Sequence, residues 1–139
     1  MADPLPTSFH LTVVTRERKI VETDAVEVVL PAYDGEIGVL PGHTALLTLL
    51  KVGVMRYRSD GNPQSLVISW GFAEILPERV IVMAETARLP QEMDAATAEA
   101  EKAKLEKELA DLSSHDPQFA QVEARLEESV AMITLHRGT

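Results

Sequence analysis

Short apolar segments rich in valine and isoleucine recur over residues 9 to about 88. The segments are FHLTVV, AVEVVL, VGVMRYR, SLVISWGFAEIL and RVIVMAE. Turn-forming residues separate them, at Asp34-Gly35, Pro41-Gly42, Asp60-Gly61 and Pro77. Runs of this length, bounded by glycine and proline, are typical of strands. Because no segment here is long enough for a crossover helix, the pattern favours a sandwich or barrel over a parallel sheet.

The periodicity changes at Met93, where alanine, glutamate, lysine and leucine become dominant. These residues favour helices, and Asp94 is placed to cap the first one. Its apolar stripe consists of Ala98, Leu105, Leu109 and Leu112. Asp116 is predicted to cap a second helix, with Pro117 in its first position. The apolar stripe of that helix consists of Phe119, Val122, Leu126, Val130 and Ile133. Two helices joined by about four residues run antiparallel.

The predicted helical hairpin is polar over most of its surface. Residues 92–139 contain 11 acidic and 5 basic residues, a net charge of −6, against −3 for residues 1–91. Seams of alanine and leucine are too thin to stabilise two helices by themselves. We therefore expect the hairpin to pack on a second surface, either the strand region or a partner. This expectation makes the hairpin a candidate for a moving part.

Composition excludes several classes of protein. The formal net charge of −9 disfavours binding to nucleic acid and to anionic lipid. The absence of cysteine excludes disulfides and thiolate metal sites. The first residues have no basic and apolar regions of a signal peptide, and no apolar run approaches the ~20 residues needed to span a bilayer. We expect a cytoplasmic protein whose membrane association, if any, is through a partner.

The segment DGEIGVLPGH, Asp34 to His43, concentrates glycine, proline, carboxylates and a histidine between two apolar runs. It lacks the glycine spacing of a nucleotide-binding fingerprint, and no helix follows it to bind phosphate. His43 has no cysteine and no serine elbow nearby, so a metal or catalytic role is disfavoured. The remaining interpretations are a structural turn and a loop that contacts another protein.

No set of residues indicates catalysis by this chain alone. The four histidines lack metal-ligand spacing, and Trp70 is interpreted as a core residue. The carboxylates of the strand region share no motif and are interpreted as solvated strand edges. They include Glu22, Asp24, Glu27, Asp34, Glu36, Glu74, Glu78 and Glu85. The sequence therefore favours a binding or regulatory protein over an enzyme or a small-ligand-binding sandwich.

Four stretches of the chain resemble the epsilon subunit of bacterial F-type rotary ATP synthase, which corresponds to the delta subunit in mitochondria. They are FHLTVVT, DGEIGVLPGHTALLTLLKVGVMR, GFAEILPERVIVMAETA and SSHDPQFAQVEARL. They are the specific parts of a resemblance that covers nearly the whole chain, and the GEIGVLPGH run is more specific than the helices. The resemblance implies an N-terminal antiparallel β-sandwich over residues 1–90. It also implies a C-terminal antiparallel two-helix hairpin over residues 91–139.

The resemblance further implies the partners of the chain. The sandwich would bind the gamma subunit and the ring of membrane c subunits, coupling proton-driven ring rotation to ATP synthesis. Catalysis would belong to the alpha and beta subunits, and the chain would lie peripherally at the cytoplasmic face of the inner membrane. The ring-contact residues that it implies are Glu36, Ile37, Gly38, Leu40, Pro41, Gly42 and His43.

In this family the hairpin can extend toward the alpha and beta subunits and inhibit ATP hydrolysis. The residues assigned to the regulatory hairpin are Ser113, Ser114, Asp116 and Arg125. The second helix departs from the family's basic stripe, because only Arg125 and Arg137 remain beside several glutamates. This charge opposes binding to an acidic loop. The alternative function is a stand-alone regulatory inhibitor that acts through its hairpin.

Some family members bind ATP through a motif I/L-D-x-x-R-A, to which residues 93–98 correspond as MDAATA. Asp94 and Ala98 are kept, but Thr97 replaces the arginine. The basic positions of the second helix fall near Glu128 and Met132. Because a triphosphate needs cationic donors, Asp94 is the remnant of an eroded nucleotide site. We predict that the chain uses no cofactor and binds ATP very weakly or not at all.

Overall fold

The computed structural model describes residues 4–138. Eight strands are followed by a 3₁₀ turn at Pro90–Glu92 and by two helices. The strands are β1 (Phe9–Val14), β2 (Lys19–Ala25), β3 (Glu27–Ala32), β4 (Gly35–Val39), β5 (Leu46–Leu50), β6 (Gly53–Ser59), β7 (Asn62–Leu76) and β8 (Arg79–Arg88). The helices are α1 (Ala95–Ala110) and α2 (Phe119–His136). This order confirms the predicted fold class.

The strands form one hydrogen-bonded network that folds into a sandwich. The order is β2-β1-β8-β7-β5-β3-β4, and β6 pairs with β3 and β7. The long strand β7 joins the layers, since its first half pairs with β6 and its second half with β5. Among the strands that the structure describes, β1–β8 is the one parallel pair. The predicted antiparallel sandwich therefore contains one parallel contact.

Strand β7 bends at Trp70 and Gly71. Before the bend, even-numbered residues such as Ile68 face the core, whereas odd-numbered residues such as Ala73 do so after it. Both bend residues have positive φ, 51° at Trp70 and 130° at Gly71. A Cβ on Gly71 would lie 2.0 Å from the carbonyl oxygen of Met83. Glycine is therefore required at position 71, and the bend lets one strand serve both layers.

Trp70 lies outside the core, so the prediction for this residue was wrong. Its relative exposure is 37 %, and neither buried cluster found within residues 4–138 includes it. A tryptophan in an apolar strand is usually highly buried, which was the basis of the prediction. Position 70, however, lies where the inward side of the strand changes.

The sandwich core is a single cluster of 18 buried apolar residues, to which every strand contributes. Among its large members, Leu11, Leu30, Ile68 and Ile75 have no measurable exposure. Removing each such side chain from water contributes about 1.5–3 kcal/mol. The core therefore holds the strand ends, and the turns between them, on one rigid body.

The two helices form an antiparallel hairpin. The end of α2 lies beside the start of α1, because the His136 ring donates from Nε2 to the carbonyl oxygen of Met93 at 2.6 Å. Arg137 and Glu99 also form an ion pair across this end at 3.6 Å. Asp94 caps α1 as predicted, since its Oδ1 accepts the backbone N–H of Thr97 at 2.7 Å. No helix within residues 4–138 is long and apolar enough to cross a bilayer.

The second helix begins later than predicted. It starts at Phe119 with Gln118 in the capping position, although Gln118 offers no side-chain hydrogen bond. Asp116 instead closes a turn before the helix, where its Oδ1 accepts the backbone N–H of Gln118 at 2.8 Å. The prediction of Asp116 as the cap was therefore wrong. Aspartate before proline stabilises a tight turn as readily as a helix start.

The predicted apolar stripe of α2 was wrong in part. Val122 and Ile133 are buried as expected, but Val130 is 42 % exposed, and Ala131 and Met132 are buried instead. The predicted stripe assumes that α2 packs on a single neighbour. The buried positions of α2 are more widely spread, because α2 contacts α1 on one side and β6 and β7 on the other.

The hairpin packs on the sandwich through a second and smaller apolar cluster. The six buried members of this cluster, here called the docking cluster, are Val54, Val67, Ala98, Ala131, Met132 and Ile133. Two polar contacts also join the C-terminal region to the sandwich, a hydrogen bond from Thr86 Oγ1 to Glu128 of α2 at 3.0 Å and an ion pair of Arg18 with Glu92 of the 3₁₀ turn at 2.6 Å. The second surface that the polar hairpin requires is thus the sandwich.

Candidate functional site

A tight turn at Leu40–His43 connects β4 to β5. The His43 backbone N–H donates to the carbonyl oxygen of Leu40 at 3.1 Å. Gly42, in the third position of the turn, has a φ of 85°. Pro41 occupies the second position, and its ring fixes its own φ. These features define a type II turn, which requires glycine or asparagine at the third position. The Pro-Gly pair of the sequence therefore specifies the turn locally.

The turn is tied to the rest of the sandwich. Gly42 donates its backbone N–H to the carbonyl oxygen of Pro77, in the β7–β8 connection, at 2.8 Å. A Cβ at Gly42 would lie 3.1 Å from Leu5 Cδ2, so the N-terminal segment packs against the turn. The His43 ring donates from Nδ1 to the carbonyl oxygen of Thr44 at 2.6 Å. Leu40 remains 59 % exposed, so the turn presents an apolar side chain on a fixed backbone.

The other predicted ring-contact residues lie on β4. Glu36 is exposed and pairs with Arg56 of β6 at 3.3 Å. Gly38 is exposed, and a Cβ there would meet no heavy atom within 4 Å among the described residues. Ile37 faces the other way and packs against the sandwich core. The seven predicted residues thus form one continuous strand and turn, in which Ile37 contributes packing and the others border the surface.

A second exposed surface runs across four strands. Val14 of β1 pairs with Met83 of β8, Met83 with Phe72 of β7, and Phe72 with Leu49 of β5. Residues paired in this way lie on one side of the sheet, and we call these four the apolar row. Phe72 is 40 % and Leu49 64 % exposed. Val14 and Met83 are half-buried, so the exposed part of the apolar row lies on β7 and β5, and exposed apolar surface of this kind favours contact with another protein.

Two more exposed apolar residues extend the apolar row at its β5 end. Leu47 lies two residues before Leu49 on the same side of β5 and is 67 % exposed. Tyr33 is 63 % exposed, and its backbone N–H donates to the carbonyl oxygen of Leu49 at 2.9 Å. Sequence reasoning missed this surface. The TALLTLL segment is apolar at both odd and even positions, so it does not reveal which side faces solvent.

The structure brings together three titratable residues that the sequence left scattered. The His10 ring lies 3.1 Å from Glu22 and 3.2 Å from Asp24 across the β1–β2 pair. The hydrogen bond with Glu22, and then that with Asp24, raises the pKa of His10. Lys19 also contacts Glu22 at 2.8 Å and is the first cause of the lowered pKa of that carboxyl group. Within residues 4–138 no group of His, Cys, Asp and Glu has the geometry of a metal site.

The residues of the eroded nucleotide motif are engaged with the protein itself. One carboxylate oxygen of Asp94 accepts the hydrogen bond of the helix cap. This backbone hydrogen bond from Thr97 is the first cause of the lowered pKa of Asp94. Glu128 lies near a position where family members carry a basic residue, and it accepts a hydrogen bond from the Thr86 hydroxyl. An acidic group where a phosphate would bind opposes nucleotide binding. The prediction that ATP binding is very weak or absent stays a prediction.

The residues assigned to the regulatory hairpin lie at the connection between the helices and on α2. Ser113 Oγ accepts the backbone N–H of His115 at 3.2 Å, and Asp116 closes the turn described above. Ser114 is exposed beside them, and Arg125 is exposed further along α2. The connection therefore forms an exposed tip, and Arg125 lies apart from it.

The strand region matches a family model described as the beta-sandwich domain of the ATP synthase delta/epsilon chain, over residues 8–90. The chain belongs to the ATP synthase delta/epsilon chain family. An ATP synthase epsilon chain 2 from Syntrophotalea carbinolica is 34 % identical over 125 residues, covering 90 % of this chain and 91 % of the relative. The epsilon chain of Trichlorobacter lovleyi is 37 % identical over 122 residues, covering 88 % of each. The family predicted from the four sequence stretches is confirmed.

Solved structures share the fold of this epsilon-family chain. A chain of the Euglena gracilis mitochondrial ATP synthase, in a structure of its OSCP, F1 and c-ring, superposes with a TM-score of 0.81 at 22 % identity. The match covers 96 % of this chain and 84 % of the other. A chain from the central stalk and c-ring of the Tetrahymena thermophila enzyme gives 0.58 at 9 % identity, covering 92 % and 96 %. As a member of the epsilon family, the chain is a non-catalytic subunit of ATP synthase.

Proposed function

We propose that this epsilon-family chain is the central-stalk subunit that couples rotation of the c-ring to the gamma subunit, and thereby to ATP synthesis. In this proposal the Leu40–His43 turn and the exposed residues of β4 contact the c-ring. The apolar row binds gamma. The observation that carries the proposal is that β5 directly follows the turn and itself contributes Leu49 to the apolar row.

The shape of the turn supports contact with the polar loops of a rotating ring. Gly42 and Pro41 set a tight backbone, and the bond to Pro77 prevents the turn from bending away under load. Leu40 offers an apolar contact, while Glu36 and His43 offer polar ones at its flanks. A fixed turn loses little conformational entropy on binding, which favours a contact that must persist through rotation.

The exposure of the apolar row supports a stable protein partner. Aromatic and large apolar residues dominate the energetics of such contacts, and Phe72 and Tyr33 are of this kind. β5 pairs with β7 at five positions, from Leu46–Ile75 to Leu50–Gly71. A force on the turn is therefore transmitted along a paired strand to the partner surface.

We propose the division of labour that the family resemblance implies. Residues 1–90 would bind gamma and the c-ring, and residues 91–139 would be regulatory. The chain would then lie peripherally at the cytoplasmic face of the inner membrane, held there through the complex. The stand-alone inhibitor is disfavoured, because the match to the family covers the sandwich that would carry the coupling contacts.

We further propose that the hairpin can leave the sandwich, extend toward the alpha and beta subunits and inhibit ATP hydrolysis. The small size of the docking cluster supports this, because six buried residues are few to hold two helices. Deletion of residues 92–139 is expected to raise ATP hydrolysis by the assembled enzyme. Unchanged hydrolysis in the truncated enzyme would remove the inhibitory role and leave the coupling role intact.

The coupling proposal is tested with a charged substitution in the turn. Leu40→Asp is expected to abolish ATP-driven proton pumping in inverted membrane vesicles, while ATP hydrolysis continues and the tagged chain still co-purifies with gamma. Val26→Asp is the matched control, since Val26 is an exposed apolar residue outside both surfaces. If Leu40→Asp pumps protons as well as the control does, the turn does not carry coupling.

A further inference from the structure

Ser129 lies on the covered side of α2. Its relative exposure is 2 %, which makes it one of the few buried polar residues within residues 4–138. It precedes Met132 and Ile133 of the docking cluster by one helical turn, and it follows the buried Val122 by two turns. Residues at these spacings share one side of a helix. The serine therefore belongs to the side through which α2 packs on its neighbours.

The Ser129 hydroxyl has no hydrogen-bond partner in the protein. Among the buried side-chain oxygen and nitrogen atoms of residues 4–138, Ser129 Oγ is the one that lacks a partner. A serine or threonine in a helix can donate to the carbonyl oxygen four residues before it. Thr134 on the same helix does so, to Val130 at 3.1 Å, whereas Ser129 does not. Because burial removes the hydroxyl from water without a replacement, it opposes the packed state.

The helix itself gains nothing from a serine at this position. Serine is less favourable than alanine in the interior of a helix, and α2 already buries an alanine at Ala131. Ser129 lies far from both ends of α2, so it closes no cap or turn. Buried polar groups without partners are few in native proteins, and each one requires an explanation.

We propose that the Ser129 hydroxyl is a destabilising group that keeps release of α2 from its neighbours accessible. While α2 is packed, the hydroxyl is buried and unpaired. When α2 is released, the hydroxyl binds water and the penalty disappears. Release is therefore easier than it would be with alanine at this position. The consequence for ATP hydrolysis rests on the proposed regulatory function of the hairpin, whereas the effect on packing does not.

Amide hydrogen exchange of the full-length chain measures the effect on packing. Ser129→Ala removes only the hydroxyl, so exchange in α2 is expected to slow by about tenfold. Exchange in β1, β7 and β8 should stay unchanged, because these strands open separately. Unchanged or faster exchange in α2 would show that the hydroxyl is already satisfied in the packed state, by a bound water for example, and would overturn the proposal.

Two control variants separate the buried hydroxyl from the general properties of hydroxyl side chains. Ala103→Ser introduces the same group at an exposed position of α1, where exchange is expected to change by about twofold through helix propensity alone. Thr134→Val removes a hydroxyl that has a partner and should not slow exchange. If Ser129→Ala slows exchange no more than about twofold, or if Thr134→Val slows it equally, the proposal is overturned.

ATP hydrolysis by the assembled enzyme separates this proposal from the proposed function. Because Ser129→Ala favours the packed hairpin, hydrolysis is expected to rise toward the rate of the enzyme that lacks residues 92–139. Slower exchange with unchanged hydrolysis in both variants would overturn inhibition by the hairpin and keep the destabilising hydroxyl. Unchanged exchange in Ser129→Ala, with raised hydrolysis in the truncated enzyme, would overturn the role of Ser129 and keep the inhibition.

Discussion

The sandwich encloses 18 buried apolar residues in one cluster, whereas the hairpin rests on it through the six buried residues of the docking cluster. The first cluster receives side chains from every strand. The second receives Val54 and Val67 from the sandwich and Ala98, Ala131, Met132 and Ile133 from the helices. The cost of separating the hairpin is therefore much lower than the cost of opening the sandwich. The sandwich is thus the more firmly packed region, and detachment of the hairpin stays a proposal.

The polar contacts sharpen this difference. The ion pair of Arg18 with Glu92 and the hydrogen bond of Thr86 with Glu128 join the C-terminal region to the sandwich at the surface, where water competes. Within the sandwich, by contrast, backbone hydrogen bonds pair whole strands, such as β7 with β8. Elements that move are drawn from the less stable parts of a fold, so the exposed side-chain contacts agree with the proposed regulatory role of the hairpin.

The largest effect is expected where the sandwich bends. Gly71→Ala forces a Cβ to within 2.0 Å of the Met83 carbonyl oxygen at a positive φ, so the free energy of unfolding should fall by about 2–4 kcal/mol. Urea denaturation measures this. Gly38→Ala is the matched control, with no neighbour within 4 Å among the described residues. Equal stability of the two variants would contradict the view of the bend as a fixed corner.

A more local effect, confined to the hairpin, is expected at the docking cluster. Met132→Ala removes a side chain that is 1 % exposed, at a local cost of about 2–5 kcal/mol. If the hairpin detaches independently, amide hydrogen exchange should accelerate in α1 and α2 and stay unchanged in β1, β7 and β8. Val130→Ala, at a neighbouring exposed position, is the control. Equal acceleration in the strands would show that the two regions unfold as one unit.

Local sequence signals specify the features of this structure to different degrees. The Pro41-Gly42 turn and the Asp94 cap were predictable, because both depend on residues within a few positions. The apolar row was not, because it joins β1, β8, β7 and β5 across large sequence separations. Only the register shows that Phe72 lies between Leu49 and Met83.

Acid is expected to loosen the hairpin before the sandwich. The Arg18 guanidinium holds the pKa of Glu92 below its usual value. The folded state therefore binds fewer protons at this site. The stabilisation is present above the unfolded-state pKa and is lost as pH falls through the folded one, below about pH 5. Exchange in α1 and α2 should show this pH dependence, and Glu92→Gln should reduce it. An unchanged pH profile in Glu92→Gln would assign the effect to other groups.

The smallest effect is expected at His10, with the opposite sign. Glu22 first, and then Asp24, raises the pKa of His10. Its contribution to stability is thus complete below the unfolded-state pKa and is lost as pH rises through the folded one, from about pH 6.5 upward. An NMR titration should place the pKa of His10 above the ordinary value of a histidine. Glu22→Gln should lower the pKa of His10, and an unaltered titration curve would contradict the pairing.

The sequence by itself determined the kinds and order of the elements, the position of the Pro-Gly turn and the family. Alternation of apolar and polar residues, helix-forming composition and turn residues all act over a few positions. A single sequence is therefore enough to detect them. The helix starts were determined in part: Asp94 caps α1, but Asp116 closes a turn because its surroundings allow either use.

Only the tertiary structure decided which side of each element is covered. Trp70 lies outside the core because β7 changes its inward side there, and Met132 is buried because α2 packs on the sandwich as well as on α1. His10 meets Glu22 and Asp24 through strand pairing. In each case the deciding neighbour is distant in sequence, so its effect arises from packing and register and leaves no local signal.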